Sequence, residues 1–153
     1  MATAETRLQK PEFVNEAFID FSKPENRKAM EAALEKVTAE FGREYPMYIA
    51  GQKVTTTEKT KSTNPSRPSQ VIGVFQKASA EQANHAVEAA HQYFGTWKRT
   101  TAQERANHIF RAAQIIRERK FELAALVCYE VGKTWPEADA DIANHRFSGI
   151  LRA

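Results

Sequence analysis

Cys128 is the only cysteine in the chain and, by type, the residue best suited to covalent chemistry, because a thiolate is a strong nucleophile. Its neighbours argue against that use. It lies among Leu126, Val127 and Val131 in a helical run, with no His or Lys placed to take its proton or steady its charge. Apolar surroundings keep a thiol protonated, so Cys128 reads as a buried structural side chain. The four histidines, His85, His91, His108 and His145, nowhere pair at i, i+4 beside a carboxylate, the arrangement a helical zinc site requires. Glu130-Val131-Gly132-Lys133 ends in Gly-Lys but lacks the glycine-rich run of a phosphate loop. It suits a helix C-terminus, where a left-handed glycine and a cation both belong. No GxGxxG follows a strand, and Val71–Phe75 runs into Gln76-Lys77-Ala78-Ser79 without the glycine turn a dinucleotide needs. No catalytic, cofactor-binding or metal-ligating residue is therefore assigned, and no cofactor is expected on these residues alone.

The elements around these residues can be read from spacing. Residues 1–23 form an irregular arm anchored by Phe13, Phe18, Ile19 and Phe21. A helix is expected from Pro24 to Phe41, with Pro24 in its first turn and Met30, Leu34, Val37 and Phe41 on one apolar stripe, closed by a left-handed Gly42. Met47–Ile49 and Val54–Thr56 flank Ala50-Gly51-Gln52-Lys53 as a hairpin. The polar stretch 59–69, with Pro65 and Pro68, reads as a loop, and Val71–Phe75 as the best strand. Helices follow. Ser79 with Gln82 and Thr101 with Glu104 have capping-box spacing. The buried stripes expected on these two helices are Ala83, Ala86, Val87, Ala90, Phe94 and Ala106, Ile109, Phe110, Ala113, Ile116. Phe121–Val131 is apolar nearly all round and is expected to be a central buried helix ended by Gly132. Thr134 with Glu137 caps the last one.

Composition narrows the classes. Hydrophobic residues make up 42% of 153, enough for a packed core. The 22 Lys plus Arg against 19 Asp plus Glu leave a net charge of +3, too small and too dispersed to signal nucleic acid. The local excess at Arg117, Arg119 and Lys120 is interrupted by Glu118 and Glu122 and reads as a solvated helix face. A lone cysteine, no apolar signal segment and no run near the ~20 residues that span a bilayer lead to the expectation of a cytoplasmic protein with no membrane partner.

Three stretches, in order, resemble the aldehyde dehydrogenase superfamily. Tyr45-Pro46-Met47-Tyr48-Ile49-Ala50-Gly51-Gln52 followed by Asn64-Pro65-Ser66 and Val71-Ile72-Gly73 looks like its opening hairpin, Asn-Pro loop and Val-Ile-Gly strand. The helix Ala80 to Phe94 leading into Thr96-Trp97 is similar to its next element. Glu130-Val131-Gly132-Lys133 through Asp141-Ile142-Ala143 is similar to its Glu-x-Gly-Lys segment. The helix ending Phe41-Gly42-Arg43-Glu44-Tyr45-Pro46, with Asn-Pro-Ser-x-Pro paired to Glu-Val-Gly-Lys-x-Trp, resembles the 1-pyrroline-5-carboxylate dehydrogenase branch.

The resemblance implies NAD-dependent oxidation of glutamate semialdehyde to glutamate through a cysteine thiolate, on a small-molecule substrate. It also implies that the cysteine, general base and nucleotide-binding strands lie beyond the matched residues, so the chain by itself is expected to be inactive. The fold class implied is α/β: a helix-rich amino-terminal fragment with a long helix, a small antiparallel β unit and a helix cluster, lacking the Rossmann-like sheet and the catalytic domain. Residues 24–143 would then be the amino-terminal part of the cofactor domain and 144–153 an aberrant, disordered tail.

At Asn144 the family continues with a glutamate and an apolar-acidic run, whereas this chain has His145-Arg146-Phe147-Ser148-Gly149. One allowed coding of residues 144–153, read one base later, gives Ile-Ile-Asp-Phe-Leu-Glu-Tyr-Tyr-Ala, so a frameshift near codon 144 is expected. The alternative is a stand-alone helical interaction module, which requires the apolar helix 121–131 to be covered within the chain. A cut fold would instead expose apolar surface and self-associate.

Overall fold

The structure, a computed structural model, describes residues 16 to 144. The readings for residues 1–15, including Phe13, and for the tail beyond Asn144 lie outside the described residues. The element order is α1 (Pro24–Thr38), β1 (Arg43–Tyr45), β2 (Met47–Ile49), β3 (Gln52–Val54), β4 (Lys59–Asn64), β5 (Arg67–Gln76), α2 (Ala80–Trp97), α3 (Ala102–Glu118), α4 (Lys120–Val131) and α5 (Trp135–Asn144).

Pro24 opens α1, where its missing N–H costs nothing. The stripe falls where spacing puts it: Met30 and Val37 are buried with Ala33 between them, and Leu34 and Phe41 are partly buried against them. The helix stops at Thr38, however, and its C-cap is Ala39 in right-handed geometry. Gly42 is left-handed, as expected (φ +77°), but three residues past that cap. Its N–H donates to Ile72 O at 3.3 Å, so it bends the chain onto the sheet instead of closing the helix.

The β region departs most from expectation. β2 and β3 form the hairpin, but Ile49 already pairs with Gln52, so the turn is only Ala50-Gly51, both at positive φ as a two-residue hairpin turn demands. The expected loop 59–69 is instead a second hairpin, β4 antiparallel to β5. Its polarity misled because β4 is an outer strand. Of its residues only Ser62 and Asn64 are withdrawn from solvent, and charged side chains belong on an edge. Pro68 is tolerated because it sits in the register shift between Asn64↔Arg67 and Thr63↔Val71, where no ladder N–H is demanded. The expectation of a purely antiparallel unit is also corrected. β1 runs parallel to β5, giving a mixed sheet in the order β1-β5-β4 beside the separate two-stranded β2-β3 sheet.

The core is built by α1, α4 and α5. Ala124, Ala125 and Ala138 let three helix backbones approach closely around Met30, and Phe21, Phe121 and Trp135 close the ends. α4 is not enclosed all round. Its alanines face α1 and α5, whereas Leu126 on the far side is 37% exposed and Val131 at the C-terminal end 57%. Helices α2 and α3 begin on complete capping boxes at Ser79/Gln82 and Thr101/Glu104, as spacing predicts. Neither helix buries a residue fully. The expected stripe of α2 is turned outward, with Val87 69% and Phe94 53% exposed. On α3 the expected stripe is half-buried.

Candidate functional site

Two of the segments that resembled a known superfamily, the Asn-Pro-Ser turn and the Glu-x-Gly-Lys segment, come together in space at the α4–α5 corner. α4 ends on Gly132 (φ +73°), whose N–H donates to Cys128 O at 3.1 Å. A Cβ there would lie 3.2 Å from Pro65 Cγ, so glycine suits both the left-handed backbone angle and the close pass of the β4–β5 turn. That turn is held by Asn64, whose Oδ1 accepts from the Ser66 N–H at 2.9 Å while its Nδ2 donates to Gln70 Oε1 at 2.9 Å. From β4, Ser62 Oγ donates to Glu130 Oε1 at 2.8 Å. The Asn-Pro-Ser turn and the Glu-x-Gly-Lys segment are thus two halves of one contact, with Ser62 and Glu130 68 residues apart in sequence.

Beyond Gly132, Lys133 forms an ion pair with Asp141 one helical face along. Glu137 accepts from the Thr134 N–H at 3.0 Å and from its hydroxyl at 2.8 Å, as the capping spacing predicts. The hydrogen bond from the Thr134 N–H, seconded by the hydroxyl, holds the Glu137 carboxyl below its ordinary pKa.

Under this corner sits a buried charge that sequence reading missed. Asp139 is 1% exposed. Lys120 Nζ lies 2.8 Å from its Oδ1, outside hydrogen-bond geometry, and the Ile19 N–H donates to its Oδ2 at 2.8 Å. Lys120 Nζ also donates to Ala17 O at 3.2 Å. The expectation of a solvated basic face fails here, because the Lys120 side chain is 12% exposed and committed to Asp139. Arg117 and Arg119 do lie in solvent, paired with Glu16 and Glu122. A signal for Asp139 existed: it occupies the same helical stripe as Trp135, Ala138, Ile142 and Ala143, a core position held by a carboxylate.

Cys128 is partly buried, less than expected, and burial alone raises its pKa. A nucleophilic cysteine needs the opposite shift, from a cation or a helix N-terminus. His108 lies beside Trp97 with ring centroids 5.9 Å apart, His85 borders an open polar cleft near Thr56 and Lys77, and His145 lies outside the described residues. Among the described residues no three His, Cys, Asp or Glu side chains gather as a metal site. No described helix is long and apolar enough to cross a membrane.

An apolar groove of about 340 Å³ lies between α1, β5 and α4, lined by Ile72, Phe75 and Leu126, and is smaller than the open polar cleft beside His85, which is about 950 Å³. The groove's rim carries Glu122, held down to a pKa of about 2 by the hydrogen bond from Arg119 and then by that from Lys36. Tyr45 stacks on Phe75 at 5.3 Å along its wall.

A family model for the aldehyde dehydrogenase family matches residues 52–149, well over half of the sequence. The chain belongs to that family. The match runs past Asn144, where the sequence pattern was read as breaking off. Among similar curated proteins, 1-pyrroline-5-carboxylate dehydrogenase 2 of Halalkalibacterium halodurans is 50% identical over 131 residues, 86% of this chain and 25% of its own length. The 1-pyrroline-5-carboxylate dehydrogenase of Geobacillus thermodenitrificans is 49% identical over the same share. The chain therefore spans about a quarter of the length of these relatives. Among solved structures, the Thermus 1-pyrroline-5-carboxylate dehydrogenase with bound NAD superposes with a TM-score of 0.83 at 47% identity over 86% of this chain and 25% of that one. Proline utilization A of Bdellovibrio bacteriovorus matches with the same score at 33% identity over 86% of this chain and 14% of that one.

Proposed function

We propose that this chain carries the amino-terminal part of a 1-pyrroline-5-carboxylate dehydrogenase, an NAD-dependent enzyme that oxidises glutamate semialdehyde to glutamate in proline breakdown in the cytoplasm. The observation that carries the reading is the 50% identity to a relative of that name across 131 residues. The contact between the Asn-Pro-Ser turn and the Glu-x-Gly-Lys segment supports it from the fold side, since it gives both motifs one structural reason.

The described residues do not by themselves fit a dinucleotide. β5 leads into α2 through Gln76-Lys77-Ala78-Ser79, and Ser79 already accepts from the Gln82 N–H, so the first turn of α2 is capped by the protein. We therefore route no step of the reaction through these side chains and assign none of them a catalytic role. Their work in this reading is structural: to hold α4 and α5 at the corner that the rest of the enzyme builds upon. The interaction-module reading needed α4 to be covered, and its exposed Leu126 and Val131 weigh against it.

Two measurements test the proposal. A chimera in which residues 16–143 replace the corresponding segment of the Thermus relative is expected to form NADH from pyrroline-5-carboxylate. A folded chimera without that activity overturns the reading. The purified chain alone is expected to form no NADH, and turnover abolished by Cys128→Ala would overturn its inactivity. The shifted frame at codon 144 stays part of this proposal. It fails if the gene, read one base later beyond that codon, does not continue into an aldehyde dehydrogenase.

A further inference from the structure

Residues 16–19 lie across α3, α4 and α5 and hold each of them through a charge. Glu16 pairs with Arg117, near the end of α3, at 3.3 Å. The Ala17 carbonyl accepts from Lys120 Nζ, at the first residue of α4, at 3.2 Å. The Ile19 N–H donates to Asp139 Oδ2, on α5, at 2.8 Å. Lys120 and Asp139 are each other's counter-charge, with side chains 12% and 1% exposed. The segment therefore closes over an ion pair, and both members of the pair reach out to its main chain.

Apolar burial adds little to this hold. Ala17 is exposed and Phe18 is 67% exposed, which leaves Ile19 as the one apolar side chain of the four residues that is partly withdrawn from solvent. A stretch that buries little apolar surface opens at low free energy, without the rest of the fold. A pivot is in place at Asp20. Its Oδ1 accepts from the Ser22 N–H at 3.0 Å and from the Ser22 hydroxyl at 2.6 Å, and its carbonyl accepts from Asn26 Nδ2 at 2.9 Å, so the turn into α1 is fixed from the helix side. Phe21, next along, stays edge-on to Trp135 with ring centroids 5.6 Å apart. Opening also relieves a cost of the closed state. Asp139 Oδ1 is buried without a hydrogen-bond donor, and water would supply one.

We propose that residues 16–19 are a strap that opens and closes over the Lys120–Asp139 pair while α1, α4 and α5 stay packed, so that burial of the pair is conditional on the strap. Closed, the strap ties the α3–α4 junction to α5 and the pair is dry. Open, both charges are hydrated and α3 loses its link to residue 16. Every contact involved lies within the described residues, so the inference needs no second copy, no further part of the family fold and no dehydrogenase activity.

The test is amide exchange of the full chain, read residue by residue by NMR. The Ile19 amide should exchange more slowly than in an unstructured peptide, yet faster than the amides of Met30 and Ala125 in the core cluster. Low urea should speed exchange at Met30 and Ala125 and leave Ile19 unchanged, because a local opening exposes little new surface. Asp139→Asn keeps the side-chain shape and removes the charge. It should speed exchange at Ile19 by roughly tenfold or more, the scale of losing a hydrogen bond to a charged group. Lys120→Met/Asp139→Leu separates the strap from overall stability. Apolar volume holds the helices together there, but the strap has lost both its acceptor and its donor. Ile19 should then exchange as fast as in Asp139→Asn while Met30 and Ala125 stay protected. An Ile19 amide that moves in step with Met30 and Ala125 overturns the proposal, because the segment would then open only with global unfolding. So does an Ile19 amide as fast as a free peptide in the unaltered chain, since no strap would be closed. Protection of Ile19 that survives Asp139→Asn or returns in the double variant also overturns it, because the charges would then not hold the strap.

Discussion

Met30 on α1 and Phe94 on α2 are both large apolar side chains at helical spacing from apolar neighbours, yet Met30 is wholly enclosed and Phe94 is 53% exposed. The two regions they belong to differ in the same way. In the α1–α4–α5 unit, alanines draw three helices together and close them over a methionine and a buried carboxylate. In α2 and α3 the helices are begun by complete capping boxes and patterned with apolar stripes, and neither buries a residue fully. Local signals form a helix in both places. Only tertiary partners decide whether its stripe becomes core, and that difference can be probed by substitution.

The largest effect is expected at Asp139. Replacing it with Ala leaves the Lys120 ammonium in a site with little water and no counter-charge, and frees the Ile19 N–H from its acceptor. Removing one partner of a buried ion pair costs about 3–5 kcal/mol. Urea unfolding of Asp139→Ala should show a loss of that size, and Lys120→Met/Asp139→Leu should recover much of it by replacing charge with apolar volume. A loss below about 1 kcal/mol would mean that the pair is effectively solvated, as exposed ion pairs are. The comparison would then lose its polar anchor.

Met30→Ala comes next. The side chain is 0% exposed and sits among Ala33, Val37 and the α4 alanines, so its removal leaves a cavity that short neighbours cannot fill. A cost of about 2–5 kcal/mol is expected in the same unfolding measurement. A smaller value would show that α1 slides to close the gap, and that the α1–α4–α5 unit is looser than its burial suggests.

How much of this was legible follows the same division. The apolar stripe of α1, the caps at Ser79, Thr101 and Thr134, the left-handed Gly132 and the β-prone run Val71–Phe75 are all patterns written within a few residues, and spacing reveals those. The hairpin β4–β5 was read as a loop because an edge strand is polar for its own reason, and because Pro68 is harmless only in a register shift that no local pattern shows. The parallel pairing of β1 joins residues some 30 apart and has no local signature. At the α4–α5 corner the motif residues could be named from the sequence. What they do, Pro65 passing close beside Gly132 and Ser62 donating to Glu130, needed the fold. Asp139 stands as a carboxylate in an apolar stripe, but nothing near Lys120 in the sequence marks it as the buried partner. The burial of that lysine depends on segment 17–19 lying across it.

Caps should matter less than core. Ser79→Ala removes the oxygen that accepts from the Gln82 N–H and breaks the reciprocal box. The usual cost is about 1 kcal/mol. Because α2 contributes little to the packed unit, the loss should show as fraying of its first turn, seen in faster amide exchange at Glu81, Gln82 and Ala83, more than in the midpoint of global unfolding. A full shift of the midpoint would show that α2 unfolds together with α1, α4 and α5, and that the two regions are one cooperative unit.

The smallest effect is expected where a sequence reader would place one of the largest. Phe94 is a large aromatic on a well-formed apolar stripe, and a Phe buried in a core costs about 3–5 kcal/mol when cut to Ala. Here the ring meets solvent over half its surface, and the described core cluster of Met30, Ala33, Val37, Ala124, Ala125 and Ala138 lies on other helices. Phe94→Ala, measured by unfolding at high dilution so that chains are separate, should therefore change stability by no more than about 0.5 kcal/mol, the range of surface substitutions. A loss of about 3 kcal/mol at high dilution would mean that Phe94 is enclosed in the separate chain, and the contrast between the two regions would have to be abandoned.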